Sequence, residues 1–171
     1  MPELMDQIRV CNAFLRKHVP GFEAAVFSGV APRIGIRETR RIVGEEALTG
    51  EDVLASRRRA DSVARGAHEI DMHAAGSAHT RQEIPGGSYY DIPFGTLVPR
   101  GLRNVLVAGR CLSSTREGQS SARVMGPCLA MGQAVGTPAA AFGNVIAGNG
   151  DVRDVPLGEL QNLLRLQGAQ I

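Results

Sequence analysis

NVLVAGRCLSSTREGQSSARVMGPCLAMGQAVG, residues 104–136, is the stretch on which the fold turns. The β-branched run Val105-Leu106-Val107-Ala108 predicts a short buried strand ending at Gly109. A loop over 109–120 then leads to a long helix whose first turn is marked by Gly126-Pro127. Proline suits a first helical turn, because an N–H there would have no helical partner. A helix that begins this way presents free N–H groups and the positive end of its dipole at the carboxyl edge of a sheet. That is where α/β proteins receive anionic or electron-rich groups. Farther along, Gly132, Gly136 and Ala140 recur every fourth residue, a smooth stripe for close approach, and Pro138 should disturb a turn. Pattern alone leaves two readings open: a tightly packed strand–helix unit without ligand, or one that cradles a cofactor.

Around this segment the organisation is plain. Leu4, Ile8, Cys11 and Leu15 predict an amphipathic helix over 3–18, closed by Pro20-Gly21. Residues 24–30 read as a strand and 34–43 as a second extended segment. Thr49 caps a short helix with Glu51 and Asp52 in its first turn. Arg57-Arg58-Arg59 reads as a solvated helix end. Residues 63–73 are expected to be extended, 74–88 a loop, and 89–93 a strand. Leu157, Leu160 and Leu164 predict a last amphipathic helix after the stop at Asn149-Gly150.

Composition narrows the function classes. The 171 residues carry a net charge of only +2 and no Trp, which argues against nucleic-acid binding by a basic or stacking surface. Three scattered cysteines form no CxxC and no paired framework, which fits reduced thiols and a cytoplasmic setting. The charged start argues against a signal peptide. Residues 124–150 hold no charge, but Gln133, Thr137, Asn144 and the Ala/Gly/Pro content predict a buried helix rather than a membrane span.

The segment 104–136 resembles the closing part of the FAD-dependent oxidoreductase family, which runs approximately N-L-L-V-A-G-R-C-x-S, then R-V-M-x-x-C-x-A-x-G-Q-A-A-G-T-A. PGFEAAVF, GIRETRRIVGEEALTGEDV, EIDMH and YDIPFGTLVPRGLRN also resemble that family, in the same order, so the likeness spans about Phe14 to Ile146. The resemblance implies an α/β fold, α+β as an isolated fragment. This chain would supply the C-terminal part of a Rossmann-type FAD-binding domain and part of a mostly antiparallel substrate-domain sheet. Residues 1–100 would belong to the substrate domain, 101–150 to the FAD domain and 151–171 to a helical tail. FAD is the implied cofactor and a small organic molecule the implied substrate. Gly109, Arg110 and Cys111 would lie along the ribityl chain or ring, and Arg123, Met125 and Gly126 at the pyrimidine end. Cys111 is read as a small packing residue there.

On the substrate side the candidate catalytic residues are Arg37, Arg40, His73 and Arg116. Arg37 and Arg40 suit carboxylate recognition, although a regular strand would put them on opposite faces; surface arginines paired with Glu38, Glu45 or Glu46 are the alternative. Asp71 and His73, two apart, could share a face as a carboxylate-assisted proton acceptor, or His73 could be a structural histidine. His68 and His73 do not have HExxH spacing, so no metal site is expected. Two departures from the family stand out: Phe94-Gly95-Thr96 replaces Tyr-Arg-Ser, and Arg116 replaces a histidine. The fingerprint GxGxxG that receives the pyrophosphate is absent, which implies a missing N-terminal half in the same longer chain or on a second subunit. The alternatives are a flavoprotein component resembling the heterodisulfide reductase A subunit, or a non-catalytic interaction module. The first would need iron–sulfur clusters held elsewhere, because clustered Cys ligands are lacking.

Overall fold

Thr49 starts the first helix of the larger unit through a reciprocal cap. Its hydroxyl accepts from the Asp52 N–H at 3.1 Å, while the Asp52 carboxylate accepts from the Thr49 N–H at 2.9 Å. Such a box stabilises a helix start by about 1 kcal/mol. The computed structural model describes residues 2–73, 79–147 and 149–171, in two compact units, 1–36 and 37–171.

The first unit contains α1 (Pro2–His18), the helix predicted from Leu4, Ile8, Cys11 and Leu15, but none of its residues is buried. Leu4, Met5, Ile8, Cys11, Val30 and Ile34 line an apolar groove of about 480 Å³. The strand expected over 24–30 is not formed, since those residues have no ladder partner among the described residues and Val26 is 88% exposed.

The second unit runs α2 (Gly50–Leu54), β1 (Ser62–Gly66), β2 (Ile70–His73), β3 (His79–Gln82), β4 (Tyr90–Pro93), α3 (Arg116–Ala122), α4 (Met125–Ala141), α5 (Gly143–Ile146) and α6 (Leu157–Leu166). Among the described residues two antiparallel ladders form, β1 with β4 and β2 with β3. In the first, Ala64 faces Ile92 and Gly66 faces Tyr90, with an irregularity between Ser62 and Ala64. In the second, Ile70 faces Gln82 and His73 faces His79. The expected mixture of helices with antiparallel strands is therefore present, with 63–73 divided into two strands.

α4 lies over β1, α3 over β2, and α6 against both α4 and β1. Leu48, Val63, Tyr90, Ile92, Leu97, Leu112, Met131, Leu160 and Leu164 fill the core. Each such aliphatic side chain contributes about 1.5–3 kcal/mol by leaving water. Gln161 Nε2 fixes α6 further by donating to Ala60 O at 2.8 Å and Ser62 O at 2.9 Å.

Four expectations for the second unit need correction. The segment 105–108 is extended but belongs to no strand among the described residues; Val107 N–H donates to Leu97 O at 2.9 Å, and Val105 is 36% exposed. A strand exists only where neighbours accept its ladder, and none flanks this one here. Residues 116–122, expected as loop, form α3, because the Thr115 hydroxyl accepts from Gly118 N–H and caps it. Residues 79–82, also expected as loop, form β3. Finally, Arg57-Arg58-Arg59 is irregular backbone beyond α2 whose side chains are engaged: Arg57 meets Asp52, Arg58 covers the Tyr89 ring at 3.3 Å, and Arg59 reaches Glu46 at 2.6 Å and Asp61 at 2.9 Å. Among the described residues no helix is long and apolar enough to cross a membrane.

Candidate functional site

α4 opens on Val124, with Met125 at its first helical position and Pro127 at its third. The N–H groups of such a first turn have no helical partner. Gly109, just past the extended segment, has φ of 82°, a left-handed conformation that favours glycine, and begins a tight turn over Gly109–Cys111. Between these two points lies a cleft of about 600 Å³ walled by Arg37, His68, Asp71, Arg110, Arg123, Met125 and Cys128.

Gln119 holds the walls together. It is fully buried on α3, and its Nε2 donates to Arg37 O at 3.1 Å and to Arg110 O at 3.4 Å. One amide thus ties the backbone at Arg37 to the 109–111 turn. Its Oε1 is buried without a hydrogen-bond partner among the described residues. Arg123, at the end of α3, donates through Nη2 to Asp71 O at 2.8 Å, which anchors β2 to the same helix. Burial, and then the charge of Arg37, hold the Arg123 guanidinium below its ordinary range. Three guanidinium groups around one carboxylate give the cleft a surplus of positive charge, suited to an anionic or electron-rich guest.

Arg37, Arg110, Arg123 and Met125 all reach this cleft. Gly126 stands in the adjoining helical turn, and beyond its chain neighbours and the helix's own backbone no atom lies within 4 Å of where a Cβ would be. Cys111 lies in the turn behind Arg110, its Sγ at 3.5 Å from Ala108 O. Arg40 is exposed and is not among the cleft's walls. His73 stands on β2 with Nε2 at 3.3 Å from Asp71 Oδ1, so the spacing of two does place both on one side. Arg116 donates to His73 O at 3.1 Å and meets Glu38 at 3.6 Å.

Sequence reasoning passed over Gln119, His79 and Cys128 as site residues, and weighed His68 only against a metal spacing. Gln119 and Cys128 fell in segments read for their glycines and arginines, while His79 fell in a presumed loop. His79 Nε2 lies 2.5 Å from Asp71 Oδ1, and this hydrogen bond holds the Asp71 carboxyl below the usual carboxylate range.

A family model described as FAD dependent oxidoreductase matches residues 2–164. No curated protein and no solved structure matches the chain.

Proposed function

The chain belongs to the FAD-dependent oxidoreductase family, and from that premise we propose that its cleft receives the isoalloxazine end of FAD. The observation that carries this is the start of α4, with Met125 and Arg123 on the wall of a cleft of about 600 Å³. The residues fit that end of the cofactor. Open space at Gly126 admits a flat ring against the helix start. First-turn N–H groups and the dipole's positive end suit the edge that gathers charge on reduction. No GxGxxG cradle for the pyrophosphate occurs in the 171 residues, so the fit is to the ring and not to the dinucleotide.

When bound, FAD would supply a two-electron acceptor for hydride from a small organic substrate. Arg123, Met125 and Gly126 hold and orient the pyrimidine edge, with Gly109, Arg110 and Cys111 along the ring or ribityl chain. Arg37, across the cleft, grips a carboxylate on the substrate. The Asp71–His73 pair, of which Asp71 lines the cleft and His73 does not, holds the proton that the substrate releases. Arg116 steadies that pair through its bond to His73 O. Residues 1–100 serve the substrate domain, 101–150 close the FAD domain and 151–171 form the tail. The remainder of the FAD domain, on the same longer chain or a second subunit, covers the exposed face of α4, where Met125 is 83% and Leu129 75% exposed.

Flavin-fluorescence quenching tests this on the 171-residue chain. Riboflavin, FMN and FAD should bind weakly and with similar affinity, since only the ring end has a site, and Arg123→Ala should weaken all three alike. A strong preference for FAD over riboflavin would place the pyrophosphate site in this chain and overturn the assignment. So would quenching that Arg123→Ala leaves unchanged.

A further inference from the structure

The spacing of His68 and His73 argues against a metal site along one element, but the β2–β3 ladder supplies a partner from across the sheet. Its register sets His79 opposite His73, with Asp71 two residues back on β2. Both imidazole Nε2 atoms turn to the same carboxylate oxygen, His73 at 3.3 Å and His79 at 2.5 Å from Asp71 Oδ1. The rings stack with centroids 4.3 Å apart at 16°, and one donor atom from each of the three residues lies within 4.8 Å of the others. Ligands bound at about 2.0–2.2 Å around a tetrahedral ion stand a little over 3 Å apart. The His73–Asp71 separation already has that value. The shorter His79–Asp71 contact is a hydrogen bond, and the two groups would part by roughly 1 Å to take an ion in place of its proton.

We propose that Asp71, His73 and His79 hold a first-row divalent transition metal ion, with coordination positions left open. Two imidazoles and one carboxylate select such an ion over Mg²⁺ or Ca²⁺, which favour all-oxygen shells. A three-residue face with open positions marks a reactive site rather than a structural one, which would be closed by a fourth side chain. His73 and His79 are 45% and 40% exposed, so an ion can enter from solvent, while Asp71 is shared with the wall of the cleft. The ligand strand is preset, because Arg123 and Arg116 of the α3 region hold the carbonyls of Asp71 and His73. With the ion bound His73 is a ligand and no longer accepts a proton; ion and proton are alternative occupants of one cluster. The ligand set lies wholly on β2 and β3, so it does not depend on the flavin assignment.

Calorimetric titration of the chelator-treated 171-residue chain with Zn²⁺, and optical titration with Co²⁺, test the site. One ion per chain is expected, with ligand-field bands from Co²⁺ and no thiolate charge-transfer band. His79→Ala and His73→Ala should each weaken binding by more than the roughly ten- to hundredfold that loss of an outer-shell partner costs. His18→Ala and His68→Ala should leave it unchanged. Circular dichroism separates ligand loss from misfolding, and His79→Gln gives a second, milder variant should the alanine fail to fold. Absence of a site in the unmodified chain, binding that survives at both substituted histidines, or a thiolate band from Cys11, Cys111 or Cys128 would each overturn the proposal. Flavin quenching in the same samples keeps the two assignments apart: Arg123→Ala should weaken quenching and cost Zn²⁺ affinity only the roughly ten- to hundredfold of an outer-shell partner, whereas His79→Ala should remove the Zn²⁺ site and spare quenching.

Discussion

Tyr90 is fully buried, and its hydroxyl pairs with Ser121 Oγ at 2.8 Å. Burial pushes its pKa up from 10.0 to about 12. A phenol that ionises more readily when unfolded stabilises the native state fully below pH 10 and loses that contribution as pH rises towards 12. The loss is on the order of 2–3 kcal/mol. Urea midpoints measured at neutral pH and across that window should fall in the native chain and stay flatter in Tyr90→Phe. The variant itself should cost about 1 kcal/mol at neutral pH, because Ser121 keeps its bond to His68 O. Gly118 is a sharper case. A Cβ there would sit 2.3 Å from Leu48 O, a backbone atom that cannot yield cheaply. Gly118→Ala should therefore destabilise by at least about 3 kcal/mol or move α3, and thermal denaturation would show it. The strand around Tyr90 was legible from its neighbours, whereas the burial of its phenol and the need for glycine at 118 were not. That need arises from a carbonyl 70 residues away in sequence.

Among the elements, α1, α2 and α6 were legible because their signals are local: apolar spacing, a Thr-to-Asp cap, and leucines at 157, 160 and 164. β3 was not, because all four of its residues are exposed and show no apolar alternation. Its signal is the backbone ladder itself, and with it went any sight of His79. The segment 105–108 erred in the opposite sense, carrying a strong strand composition without the neighbours that would make it one. α4 was legible as a helix, but its two faces were not. Met131, Ala134 and Thr137 face the core, while Gly132 and Gly136 have no atom near a would-be Cβ. Alanine at either glycine should stabilise this chain by about 0.4–1 kcal/mol, since the unfolded state loses freedom and nothing clashes. Chemical denaturation measures the gain. In a completed flavoprotein the same substitutions should weaken association across that face, visible as a raised dissociation constant between the parts. A gain in both settings would mean that nothing approaches the stripe closely.

At the scale of the whole molecule, every buried hydrophobic side chain among the described residues lies between Leu48 and Leu164. A chain of residues 37–171 should therefore keep the thermal midpoint of the full chain, and a large drop in circular-dichroism melting would assign the first 36 residues a structural duty. The position of the cleft, unlike its chemistry, could not be read in advance. Arg37, Asp71, Arg110 and Arg123 are scattered over 87 residues and meet only because Gln119 and Arg123 bind backbone carbonyls of distant segments. The contrast between Met125, 83% exposed, and Met131, fully enclosed six residues later on the same helix, has a practical consequence. Peroxide converts accessible thioethers to sulfoxides and spares enclosed ones, so α4 carries both a reporter and its internal standard. Mass spectrometry after brief oxidation should find Met125 modified and Met131 intact in this chain alone. The moment another polypeptide settles on the helix, the sulfur of Met125 should fall silent while the rest of the oxidation pattern stays as it was.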